Sequence, residues 1–541
     1  MTDEPVPRAP HSPTERINTR AAGVIGIAVM CSRVLGLVRE TVFAALFGGG
    51  REMDVFIAAF RIPNLLRDLF AEGALSTAFV TVFSRTIVTD GEQAAWRLAN
   101  KVMTLATIFM SAITLLGILG APWIVTFIAP GFDADKTAMT TTLVRVMYPF
   151  ILLVSLAALV MGMLNARNVF GMPAMASSFF NLGSIVGGVG LGWWIDPSFG
   201  SRALLGLAIG TLIGGALQLG VQLPSLRRVG FRFRPDFRWR SEGVSQILRL
   251  MGPAIIAASS VQVNVLVNSM FASQLGDGPI AWLNNAFRLM QLPLGLFGVA
   301  LGTVALPVLA RLAVNQHMSQ FRTELARAMR LSCVLTIPAT IGLIVLAEPI
   351  MSVVYQHGKF TAAQTVQAAG ALQLYALGLC AYAAMKVLVN AFYAVDKRRT
   401  PMLISLIAIA LNALLCWLFI FQFGWGHRGL AASAASIAIF NFAMLYLLMH
   451  RHLGTLDTRE LLRTLLKVLL AGAALALVAW AGRYYWLEDW ATQPFVSKSL
   501  RLLLVIALAG TAFVLMAMAL RITEVKVIVA SIRRRLDRKA R

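Results

Sequence analysis

Apolar residues in this chain are gathered into about fourteen blocks, each about 20 residues or longer, separated by short polar connectors. A helix rises about 1.5 Å per residue, so a block of that length matches a hydrocarbon core about 30 Å thick. The expected fold class is therefore an all-α polytopic membrane protein with about fourteen transmembrane helices. Composition agrees. Apolar residues make up 58% of 541 positions and charged residues 13%, and a soluble chain needs about twice as many charges to coat its surface. The polar opening MTDEPVPRAPHSPTER ends in no small-residue cleavage site, so the first block is expected to remain as a span.

The net charge of +23 does not point to nucleic acid, because the cations gather in alternate connectors. The N-terminus, the stretch from Arg85 to Lys101, the Arg167 turn, LRRVGFRFRPDFRWR, DKRR and the tail IRRRLDRKAR are basic, whereas PGFDADK, IDPSFG, LGDG and WLEDW are poor in Lys and Arg. The positive-inside rule places both termini in the cytoplasm, as an even number of spans requires. The arginine-rich run after the sixth block is read as facing anionic headgroups. Cys31, Cys333, Cys380 and Cys416 lie in apolar blocks without C-x-x-C spacing and read as small buried hydrophobes. His450 and His452 face different ways on a helix end, which does not suit a metal site.

The chain also repeats itself. A shift of 228 residues lays SRVLGLVRETVFAALFGGG on SVQVNVLVNSMFASQLGDG without a gap, with Ser32 on Ser260, Phe43 on Phe271, Gly48 on Gly276 and Gly50 on Gly278. Two repeats of six helices share one orientation, so they form parallel lobes around a central cavity, with a substrate site expected where they meet. The resulting division is a tail at 1–20, an N-lobe at 21–226, a basic loop at 227–243, a C-lobe at 244–452, two further helices at 453–520 and a basic tail at 521–541.

The first block carries Arg33, Arg39 and Glu40 near its middle, where the second repeat has Val261, Val267 and Asn268. These charges are thus an overlay on one lobe and read as functional. A charge near the bilayer centre costs roughly 2.5–3.5 kcal/mol on insertion scales, so such residues face protein or a water-filled cavity. The second block adds Arg61, Arg67, Asp68 and Glu72, with Asp54 at its start, and the eighth brings Arg288. A guanidinium stays charged when desolvated and offers a planar fork to carboxylate or phosphate. A cavity holding Arg33, Arg39, Arg67 and Arg288 suits a diphosphate; the plainer alternative is that these arginines pair with Glu40, Asp68 and Glu72 as inter-helix glue. Asn264, Asn268, Asn390 and Asp396 either coordinate a coupling cation or bond between helices. The glycine runs at 183–192 and 208–216 read as helix packing. No Walker frame surrounds HGKF, which argues against direct use of ATP.

From about residue 20 onward the sequence closely resembles the MurJ (MviN) family of bacterial lipid II flippases, in the superfamily of multidrug, oligosaccharidyl-lipid and polysaccharide exporters. Its most specific stretches are SRVLGLVRE, DVFIAAFRIPNLLRDLFAEGALSTAFV and GVALGTVALPVLAR. The resemblance implies a transporter, not an enzyme, in the cell inner membrane. It would move undecaprenyl-diphosphate-disaccharide-pentapeptide from the cytoplasmic to the periplasmic leaflet for peptidoglycan synthesis. The helices at 453–520 would form a groove for the lipid tail. Arg33, Arg39, Arg67 and Arg288 match the family's cavity arginines, and Glu40, Asp54 and Glu72 match its acidic positions; Ser32 and Arg61 complete the candidate substrate-binding set. Phe287 and Gln291 stand where some relatives carry acidic residues. No cofactor is expected, only a coupling cation or the membrane potential. Expected partners are lipid II, membrane lipids and other cell-wall synthesis proteins. The rival readings are another lipid-linked oligosaccharide flippase, a drug/cation antiporter, or a membrane glycosyltransferase. The last lacks an Asp-Asp pair, and Asp133, Asp135, Glu488 and Asp489 are not spaced as a metal site.

Overall fold

The computed structural model describes residues 19–69, 75–454, 456–487, 493–526 and 530; Glu72, Glu488, Asp489 and most of both terminal tails lie outside them. Every regular element among the described residues is helical. The first half runs through α1 (Thr19–Phe47), α2 (Arg51–Leu66), α3 (Ser76–Asp90), α4 (Glu92–Ile128), α5 (Ala134–Met147), α6 (Phe150–Ala166), α7 (Gly171–Ile195), α8 (Leu204–Gly220) and the short α9 (Leu223–Arg228). The second half holds α10 (Glu242–Ala272), α11 (Pro279–Pro293), α12 (Ala300–Val314), α13 (Met318–Val345), α14 (Ala347–Tyr355), α15 (Ala362–Leu377), α16 (Leu379–Ala394), α17 (Arg399–Trp417) and α18 (Gly426–Leu453). Two further helices, α19 (Thr458–Trp486) and α20 (Phe495–Ala519), follow.

By length and composition, nine helical spans among the described residues can cross a membrane, or ten when α15 and α16, bent by 41°, count as one. This is fewer than the fourteen blocks read from the sequence. Helix α1, α2 with α3, α10, and α11 with α12 fall outside that set.

The repeat is visible in where helices start. The starts of α2, α5 and α7 are each answered 228 residues on by the starts of α11, α15 and α17. Gly48 and its counterpart Gly276 both take positive φ, at 77° and 88°, a conformation that costs glycine little. Both repeats also loosen at one place, because π-type turns follow α2 at residues 67–69 and α11 at Leu294–Val299. The halves meet through α2 on α11 and through α10, which packs on α3 and α4 of the first half and on α17 and α18 of the second. Helix α19 lies on α13 and α20, leaving Leu466, Leu469, Leu477 and Leu503 exposed.

The closest helix pairing, α7 on α8, depends on glycine. A Cβ on Gly210 would fall inside the backbone of Gly188, and one on Gly214 would lie 2.6 Å from the Phe180 carbonyl. Such contacts let backbones approach where lipid supplies no hydrophobic drive. Gly210→Val is therefore expected to destabilise the protein by roughly 2–3 kcal/mol or more, read as a lower Tm in detergent. Gly190→Val on the partner helix α7, with nothing within 4 Å of its Cβ position, should leave Tm nearly unchanged.

Candidate functional site

Two of the four candidate arginines converge. The side chains of Arg39 and Glu40 on α1 are only 12% and 11% exposed. One Glu40 oxygen accepts from Arg39 at 3.5 Å and pairs with Arg288 of α11 at 2.9 Å. The other oxygen, Oε2, is buried without a hydrogen-bond partner among the described residues. The Arg39 guanidinium also lies over the Phe180 ring, 5.3 Å from its centroid, a favourable cation–π arrangement. These groups line a pocket with Phe43 of α1, Met53, Phe56, Ile57 and Phe60 of α2, Thr211 of α8, and Asn284 and Asn285 of α11. Two guanidiniums against one carboxylate leave it one positive charge in excess. Its free volume is about 50 Å³, room for a few waters.

The other candidates lie elsewhere. Arg67 pairs with Asp68 at 2.8 Å, and Gln262 of α10 donates to the same carboxylate at 3.4 Å. Arg33 is exposed, with its guanidinium set against Gly295 in the π-type turn before α12. Ser32 meets α7 through its carbonyl, which accepts from Asn181 Nδ2 at 3.1 Å. Arg61 Nε is buried with no partner among the described residues. Of the four candidate arginines, only Arg39 and Arg288 line this pocket. Glu72 lies outside the described residues.

Asp54 requires a correction. It is fully buried, and both its oxygens are occupied by the start of α11: Oδ2 accepts from the Gly278 N–H at 2.6 Å and Oδ1 from the Ala281 N–H at 2.9 Å. A carboxylate among the free N–H groups of a helix N-terminus is a structural anchor. Lys136 of α5, 3% exposed, stands 3.7 Å from Asp54 and pairs with Asp277 at 2.6 Å. Close by, the Gly131 N–H donates to Ser273 Oγ, and Lys359 Nζ donates to the carbonyls of Ser198 and Phe199. Asp133 accepts from Arg51 and from the Lys136 backbone, and these bonds hold its carboxyl down at about 2. This end of the molecule is a seam joining the two halves.

Three of the four polar candidates of the second half have separate partners, while Asn264 Oδ1 is buried without one among the described residues. Asn268 accepts from Asn412 Nδ2 at 3.0 Å, and Ser433 Oγ donates to Asn412 at 2.8 Å. Asn390 donates to the Gly302 carbonyl, and Asp396 sits in an exposed turn beside Arg398. Asn268 and Asn390 therefore bond between helices. Phe287 packs edge-on against Tyr375, with ring centroids 5.4 Å apart.

Two like helical repeats facing each other across a small, positively charged pocket have the architecture of a secondary transporter. The family model for lipid II flippase MurJ matches residues 43–505. The chain belongs to that family. It is 34% identical over 480 residues to the lipid II flippase MurJ of Burkholderia cenocepacia, covering 87% of this chain and 91% of that one. A solved structure of lipid II flippase MurJ in an inward closed conformation superposes with a TM-score of 0.74 at 25% identity, covering 91% of this chain and 98% of the other. An inward-facing multidrug resistance transporter of the MATE family shares the fold, at a TM-score of 0.66 and 14% identity over 81% of this chain and 99% of that one. The named family members are flippases, which carry a lipid and do not transform it.

Proposed function

We propose that this protein flips lipid II from the cytoplasmic to the outer leaflet of the inner membrane, with both termini in the cytoplasm and the repeats at 21–226 and 244–452 rocking as lobes. The pairing of Arg39 and Arg288 on Glu40, with one cation in excess, carries the reading. The diphosphate of the substrate presents the same hydrogen-bond acceptors as a carboxylate and more charge. Glu40 thus occupies, in this closed arrangement, the seat that the anion takes when the pocket widens. Opening must widen it, because about 50 Å³ admits waters but no diphosphate.

The prenyl tail stays in lipid and runs along the exposed leucines of α19 and α20. Arg33, Arg61 and Arg67 contact the headgroup as the lobes move, and Ser32 holds α1 to α7. The hydrogen-bonded Asn268–Asn412–Ser433 cluster is uncharged and favours the membrane potential over a bound cation as the energy source. A charge crossing the full field is worth about 2.3 kcal/mol per 100 mV.

Depletion tests the reading. In cells whose only flippase is this protein, its loss should let lipid II accumulate while a membrane-impermeant label added outside fails to reach it. Labelling at the undepleted level would end the proposal.

A further inference from the structure

A second cavity, which shares no lining residue with the Arg39–Arg288 pocket, lies at the basic end of the bundle. It opens between the α3–α4 hairpin and the start of α10, encloses about 880 Å³, and is lined by Arg85, Arg97, Lys101 and Arg249 against two carboxylates, Asp90 and Glu242. Among the described residues none of the four cations has an ion pair or a side-chain hydrogen bond. Ser241, the N-cap of α10, makes no capping bond, and its hydroxyl oxygen, on the cavity wall, is buried without a partner. The first turn of a 31-residue helix therefore presents its N–H groups uncapped, an arrangement that favours an anion.

The walls are fixed by packing. Gly243 lies so close to α4 that a Cβ there would come within 2.9 Å of Leu98. The arginine-rich loop is tied to the same helix by hydrogen bonds from the Arg234 N–H to Asn100 Oδ1 and from the Asp236 N–H to Thr104 Oγ1. That loop brings Arg234 and Arg238 to an adjoining cavity that shares Arg97, and it leaves Phe233, Phe237 and Trp239 exposed. Aromatic rings interleaved with arginine sit at the headgroup level of a bilayer, which favours a lipid over a soluble ligand.

We infer that this groove is a second phosphate site, separate from the Arg39–Arg288 pocket, which clasps the phosphodiester of an anionic phospholipid between an α-hairpin of the first repeat and the opening helix of the second. Phosphate oxygens take the arginine forks and the free N–H groups of α10, and the excess of two positive charges sets the preference for an anionic headgroup.

Native mass spectrometry of the full chain, released from nanodiscs of phosphatidylcholine with a minority of phosphatidylglycerol, tests this. Retained phosphatidylglycerol should fall on the order of tenfold in Arg85→Gln/Arg97→Gln/Lys101→Gln/Arg249→Gln and stay unchanged in Arg398→Gln/Arg399→Gln, which removes two exposed charges elsewhere. The single reversal Arg97→Glu, at an exposed position, gives the same readout should the quadruple variant fold poorly. Equal retention in a folded variant and the wild type overturns the site. If millimolar inorganic phosphate binds there while phosphatidylglycerol does not, the lipid assignment is overturned. None of these readouts needs lipid II, so their failure leaves the flippase reading untouched.

Discussion

Alanine at Arg39 should lower lipid II flipping by roughly two to three orders of magnitude, and lysine by about one. The difference follows from the fork. A guanidinium makes two parallel charge-assisted bonds to a diphosphate, each worth roughly 1.5–3 kcal/mol, whereas an ammonium keeps the charge and gives up one of them. Alanine also leaves Glu40 balanced by Arg288 alone, so the pocket goes from one excess positive charge to none and loses its preference for an anion. The measurement is the rate at which lipid II in reconstituted vesicles becomes open to an impermeant label, with Tm as the control for folding. Wild-type rates with lysine and none with alanine would mean that charge alone matters and that forked recognition is wrong.

The general plan was legible in the sequence because the signals behind it are long. Apolar blocks matched to a bilayer, and a repeat with glycines at fixed places, survive any detail of side-chain packing. The glycines Gly48 and Gly276 mark turns that recur 228 residues apart, and the helix starts keep the same spacing. Breaks within helices were less legible. Pro63 and Pro293 stand just ahead of the two π-type turns, but nothing in LGLFGV itself announces that the turn between α11 and α12 runs for six residues.

The site was legible in its chemistry and less so in its geometry. Helical spacing put Arg33, Arg39 and Glu40 on or near one face, yet neighbours decide which of them reach a pocket. Arg39 meets Arg288 because α1 and α11 face each other at Glu40, while Arg33, nearly two turns earlier on α1, meets the glycine of the π-type turn. Lys136 was passed over because PGFDADK looked like a Lys- and Arg-poor loop; one buried lysine between two aspartates is where such a loop crosses to the other half. Asp54 was misread for a related reason. An acid early in a charged, apolar helix looks alike in sequence whether it faces a ligand or caps a neighbouring helix.

Asp54→Ala should therefore cost about 3–5 kcal/mol of stability rather than only transport. Removing the carboxylate strips two buried backbone donors, Gly278 N–H and Ala281 N–H, of their acceptor, and a buried donor left unsatisfied costs about 1–3 kcal/mol. It also removes one of the two acids beside Lys136, which keeps Asp277. Asparagine retains one acceptor oxygen but turns an amide toward the second N–H, so Asp54→Asn should lose about half as much. Adding Lys136→Met to Asp54→Asn should cost less than the two single changes summed, because with the acid neutralised the lysine has less to balance. Thermal unfolding in detergent reads all three, and the same samples give flipping rates. A substrate contact behaves the other way: Asp54→Asn would keep the wild-type Tm and slow transport alone, and that outcome would return Asp54 to the binding site and leave the seam between the halves without its anchor.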